Sequence, residues 1–169
     1  MMKLKTIFST LLLALAVVAN SVSAKEPGVG VFNVEQSVIK IALRDGISPQ
    51  EAIDAMMSKA NELNMKNVGR QNVSGELTAR GDKVRYLEVF QFCRPADART
   101  MADFNVVYAA YMPCRIAMVE DTDGRFWLVT LNLDMLIENT VLPDDIYTLA
   151  IKTNSNMLTI MSSAATGEF

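Results

Sequence analysis

Apolar and polar residues alternate with two different periods along this chain, and each change of period marks an element. The stretch QSVIKIAL at 36–43 alternates loosely and is rich in β-branched side chains, which predicts a first strand ended by the turn pair Asp45-Gly46. Ser48, Pro49 and Glu51 then stand at the spacing of an N-cap, a first-turn proline and a capping box, so a helix follows. Ile53, Met56, Ala60 and Leu63 recur at helical intervals and predict its buried face. A weak strand at 66–73, a polar connection holding Gly75 and Gly81, and a strong strand at 84–92 come next. On the strong strand Phe90 and Phe92 share one face, while Gln91 and Cys93 share the other.

After Cys93, RPADARTMADF predicts a short second helix opened by Pro95. CRIAMVED and RFWLVTL, joined by DTDG, predict a hairpin in which Asp123-Gly124 supplies the positive-φ turn positions. A last helix at 143–161 would set Ile146, Leu149, Ala150, Met157, Leu158 and Met161 on one side. The order β-α-β-β-α-β-β-α predicts an α+β fold, with a mixed or antiparallel sheet of about five strands and helices on one face. Its first six elements follow the ferredoxin-like order β-α-β-β-α-β, with an extra strand and a C-terminal helix behind them.

The start of the chain has a different pattern. Lys3 and Lys5 precede an apolar run at 7–19 broken only by Ser9 and Thr10, and Val22 and Ala24 hold the small-residue positions before a cut. Residues 1–24 are expected to be a signal peptide, 25–35 a lead-in, and 36–169 a single α+β domain whose segment 140–169 is a helical C-terminal extension. The apolar run falls short of the ~20 residues a membrane-spanning helix needs. The mature protein is therefore expected to be periplasmic or secreted, with no membrane span after cleavage.

Composition narrows the chemistry. Without Lys3 and Lys5 the 16 basic residues fall to 14, against 19 acidic ones, a net charge of −5 with no basic block. Nucleic acid and anionic membrane surfaces, which demand clustered Lys and Arg, are excluded as partners. The 0 histidines remove the commonest general base, the Ser-His and Cys-His pairs and imidazole metal ligation. Asp121-Thr122-Asp123-Gly124 has the start of a calcium loop, but Arg125 and Phe126 follow where oxygen ligands are needed. Catalysis by carboxylates is the least supported reading, because no nucleophile and base can be paired.

Sulfur is what remains. Cys93 ends a strand and directly precedes a helix, where free N–H groups and the helix dipole would lower a thiol pKa. Cys114 opens the next strand, so neighbouring strands would bring both sulfurs to one end of the sheet. Arg94 and Arg115 each follow a cysteine and are candidates for an anion or thiolate site, with surface ion pairing as the plain alternative. Met112 and Met118 flank Cys114, and thioether with thiolate suits a soft ion such as copper(I), with core filling as the alternative. Two cysteines in an exported chain also admit one Cys93–Cys114 disulfide.

The segments FCRPADAR, YMPCRIAMVED and DGRFWLVTLN together resemble the family known as domain of unknown function 302, over about residues 36 to 140. The most specific part is Pro113-Cys114-Arg115-Ile116, and Cys93 and Pro95 also match its pattern. The resemblance implies a compact α+β domain that often pairs as a homodimer, without an agreed activity. The expectation is thus an exported accessory protein, binding or exchanging a soft ligand (sulfur, metal ion or partner thiol) through two cysteines, with a homodimer or another exported protein as partner. The alternative is a non-catalytic interaction module stapled by the disulfide.

Overall fold

The strongest packing signal, the alternation in LEVFQFC, sets the centre of the observed architecture. In the computed structural model, which describes residues 33–169, Glu88, Phe90 and Phe92 are buried on one face while the residues between them stay half-buried on the other. A 3-10 turn at Val34–Ser37 leads to β1 (Val38–Ala42), α1 (Pro49–Glu62), β2 (Lys66–Asn72), α2 (Val73–Ala79) and β3 (Leu87–Cys93). Then come α3 (Pro95–Phe104), a second 3-10 turn (Val106–Tyr111), β4 (Cys114–Glu120), β5 (Phe126–Leu131), α4 (Leu133–Glu138) and α5 (Asp144–Thr166). Residues 1–24, expected to be a signal peptide, and residues 25–32 of the lead-in lie outside the described residues.

All five strands pair antiparallel in the order β1-β5-β4-β3-β2. β3, β4 and β5 form a meander, and β1 and β2 take the two edges. The split βαβ element is therefore widened: α1 carries the chain from one edge to the other, with three strands rather than one between. Phe90, Phe92, Ile116, Met118 and Leu128 project from the sheet and are fully buried against Met56 of α1 and Met157, Ile160 and Met161 of α5. Each such side chain stabilises the fold by about 1.5–3 kcal/mol through the apolar surface it removes from water.

Local chemistry accounts for the helix ends. The Ser48 hydroxyl accepts from Glu51 N while Glu51 Oε2 accepts from Ser48 N at 2.8 Å, which is the expected capping box. α5 stops at Gly167, whose φ of +70° favours glycine; a Cβ there would also stand 2.9 Å from Ile47 Cδ1, the movable end of that side chain. In the β4–β5 turn, Asp121 Oδ1 accepts from the backbone of Asp123 and Arg125, and Oδ2 from Trp127 Nε1 at 2.7 Å. Both oxygens thus serve the turn.

Three expectations need correction, and one element is new. The polar connection around Gly75 is a helix, α2, because Asn72 accepts from Gly75 N at 2.6 Å and caps it. Gly75 is there for closeness, since a Cβ would meet the Asn72 side chain at 2.8 Å. β1 and β3 start later than the pattern predicts, at Val38 and Leu87, because Gln36 and Ser37 belong to the preceding turn and the ladder with β4 begins at Leu87, beyond a single backbone bond from Glu120 N to Tyr86 O. α4 has no forecast; Asn132 accepts from Met135 N and starts it. Residues 140–169 are helical as expected, but they are no appendage: Met157, Ile160, Met161, Ala164 and Ala165 are buried in the central core.

Candidate functional site

Two strand ends and the chain between them build the site. β3 finishes at Cys93, Arg94 is the N-cap of α3 and Pro95 its first residue. The chain returns through the turn at Val106–Tyr111 and a cis Met112–Pro113 peptide, and Cys114 begins β4. Phe92 pairs directly with Cys114, so Cys93 stands one residue beyond. Pair spacing of about 5 Å and a rise of about 3.4 Å put the two cysteine Cα atoms about 6 Å apart.

Both cysteines line a cavity of about 410 Å³. The sheet end supplies Phe92 and Met65, α3 supplies Asp97, Ala98 and Met101, the turn supplies Tyr108, and α4 and α5 close it with Leu136 and Ala150. Its walls are mainly apolar. The charged exceptions lie beside Cys93, where Arg94 Nη1 lies 3.1 Å from Asp97 Oδ2.

The thiols are not activated. Burial, and then the negative charge of Asp97, push the Cys93 thiol above its ordinary value. Burial, reinforced by Cys93, pushes Cys114 up to about 11. This reverses the expected acidification of Cys93, first because the sulfur is partly buried and then because a carboxylate, Asp97, occupies the third position of α3; proline at the first position also brings no N–H. At neutral pH both sulfurs are protonated and poor nucleophiles.

Of the residues singled out in the sequence, the cavity unites Cys93, Cys114, Arg94 and Met112. Arg115 does not belong to it: it pairs with Gln91, away from the core face, and is exposed. Met118 does not either, being fully buried in the core between Glu88 on β3 and Leu128 on β5. A soft-ion set would therefore have to be drawn from Cys93, Cys114, Met112 and two unforeseen thioethers, Met65 and Met101. Among the described residues no group of three or more His, Cys, Asp or Glu could hold a metal. Asp97 and Met101 carried a usable signal, their helical spacing of four on the helix that follows Cys93.

A second polar cluster lies elsewhere in the sheet. Glu88 has the same strand parity as Phe90 and Phe92, and it is fully buried, bonded to Arg70 and to the Tyr86 hydroxyl. Burial pushes Tyr86 up to about 12, with Glu88 adding to the shift. No polar residue from this cluster reaches the cavity.

Fold and site together define an α+β domain with a small, mainly apolar cavity at one end of an antiparallel sheet. The chain belongs to the family described as domain of unknown function DUF302, whose model matches residues 39–164. Among solved structures it is similar to the crystal structure of an uncharacterized conserved protein DUF302 from Bacillus stearothermophilus, with 13% identity and a TM-score of 0.61. That similarity covers 75% of this chain and 97% of the other, and it shows a shared fold. No curated protein matches the sequence. No helix among the described residues is long and apolar enough to cross a membrane.

Proposed function

We propose that this chain is an exported accessory protein that binds one small, mainly apolar ligand in the cavity at the β3–β4 end of the sheet, with Cys93 and Cys114 as its soft contacts. The observation that carries this reading is a cavity of about 410 Å³ with cysteines from two neighbouring strands in one wall. Its volume falls within the range of about 300–1,000 Å³ that ligand pockets occupy. Raised thiol pKa values favour holding a ligand over exchanging one, since exchange requires a thiolate. Copper(I) is a different occupant of the same site, supported by thioethers beside the two thiols. Export is supported by the charged start, the short apolar run and the small residues at Val22 and Ala24.

The second reading is a Cys93–Cys114 disulfide, supported by the two cysteines lining one cavity at neighbouring strand ends. Both cysteines are free in the structure described. Titration with the uncharged fluorophore phenylnaphthylamine tests the binding reading. Saturable one-to-one binding is expected, and Ala150→Phe, which fills the cavity from α5, should abolish it. Equal binding by the parent and the variant, or none by the parent, would contradict it. A mass spectrum of protein isolated without reductant separates the second reading, because a disulfide lowers the intact mass by two hydrogens.

A further inference from the structure

We infer that the cavity selects an uncharged ligand that donates a hydrogen bond to Asp97 from an otherwise apolar body. The inference rests on the binding reading above and specifies the ligand's polar end. Asp97 Oδ2 is buried and accepts no hydrogen bond among the described residues. Arg94 Nη1 is 3.1 Å from it, so the guanidinium supplies charge, but no N–H is aligned with that oxygen. Buried polar atoms are nearly always hydrogen-bonded, because an unmade bond leaves the cost of desolvation uncompensated.

Neighbouring groups do not supply the missing donor. The hydroxyls of Thr140 and Thr153, both in the cavity wall, donate to the carbonyls of Leu136 and Leu149. Cysteine S–H groups are weak donors. The Asn105 amide and the Tyr108 and Tyr111 hydroxyls also line the cavity, and none of them donates to Oδ2. An acceptor in a mainly apolar wall to which no neighbouring group donates is a place for a donor carried by a ligand.

Charge decides which donor. Arg94 and Asp97 already balance each other, so an ammonium on the ligand would be held beside the guanidinium, and a carboxylate beside Asp97. Either would bury an unmatched charge in a mainly apolar space, which is expensive. A hydroxyl or a neutral N–H satisfies Oδ2 without that penalty. The volume of about 410 Å³ admits a body the size of a fused pair of aromatic rings.

A matched series sharing one ring system tests this at neutral pH by calorimetry: naphthalene, naphthol, naphthoate and naphthylmethylammonium. Naphthol should bind about tenfold more tightly than naphthalene, the worth of one hydrogen bond to a charged acceptor, and both should bind more tightly than the two ions. In Asp97→Ala the advantage of naphthol should vanish while naphthalene still binds. Should that variant fail to fold, the ranking in the parent protein decides. Naphthol no better than naphthalene, or an ion binding tightest, would overturn this inference and leave the cavity as a binding site. Absence of binding by all four would overturn both.

Discussion

Arg70 on β2 and Glu88 on β3 form a two-pronged ion pair in which the carboxylate is fully buried and the guanidinium half-exposed. The pair sits on the helix-covered face, with Arg70 also 5.1 Å from the centre of the Phe90 ring. Burial alone would raise the Glu88 pKa, but the hydrogen bonds from Arg70 and Tyr86 outweigh it and hold the carboxyl below its ordinary value. A depressed carboxyl contributes stability that is fully present above its unfolded-state pKa and is lost as pH falls through the folded one.

The first prediction follows from that sign. Stability measured by urea unfolding should be flat near neutral pH and drop below the ordinary carboxylate range, and Glu88→Gln should flatten the drop. Arg70→Ala should cost about 2 kcal/mol at neutral pH, less than a wholly buried pair because one partner is in contact with water. A Glu88→Gln protein with the parent's full acid sensitivity would assign the drop to other carboxylates.

The thiols give the second prediction. In reduced, folded protein both cysteines should alkylate slowly at pH 7, and Cys93 should react before Cys114, whose thiol is pushed up to about 11. Asp97→Asn should speed Cys93, because it removes the negative charge that opposes the thiolate, and should leave Cys114 nearly unchanged. Peptide mapping after timed alkylation reads both rates. Rapid labelling of Cys93 at pH 7 would mean that its sulfur faces helix N–H groups after all.

The third prediction concerns α2. Asn72→Ala should cost about 1 kcal/mol through loss of the cap on Gly75 N. Gly75→Ala should cost at least as much, because its Cβ would stand 2.8 Å from the Asn72 side chain. Thermal unfolding of the two single variants and the double variant checks this: the costs should fall short of additive, since both changes dismantle one contact.

Gly75 also shows where the sequence misleads. Read as punctuation it breaks a pattern, whereas in the fold it lets an asparagine close over a helix start, a role that depends on tertiary geometry. The capping box at Ser48 and Glu51 is legible because its partners lie three residues apart. The meeting of Cys93 and Cys114 is legible too, since a short connection between strands favours their pairing. The cavity itself is not, because α4 and α5, which close it, come from 133–166 and carry no motif that points at cysteines far upstream. Met118 and Arg115 fail as site residues because alternation gives a face without saying which face the cavity adjoins. Glu88 shares the parity of Phe90 and Phe92, so the same alternation sets it on the buried face in spite of its charge.

Methionine methyl resonances test the central claim most directly. Five methionines report from known places: Met65, Met101 and Met112 in the cavity wall, Met118 and Met157 in the core. With methyl-labelled methionine in the protein and phenylnaphthylamine as the probe, the resonances of Met65, Met101 and Met112 should move together and saturate at one equivalent. Those of Met118 and Met157 should stay nearly still. Saturable shifts confined to Met118 and Met157, or probe binding that leaves Met65, Met101 and Met112 unmoved, would contradict a ligand site at the Cys93–Cys114 end of the sheet.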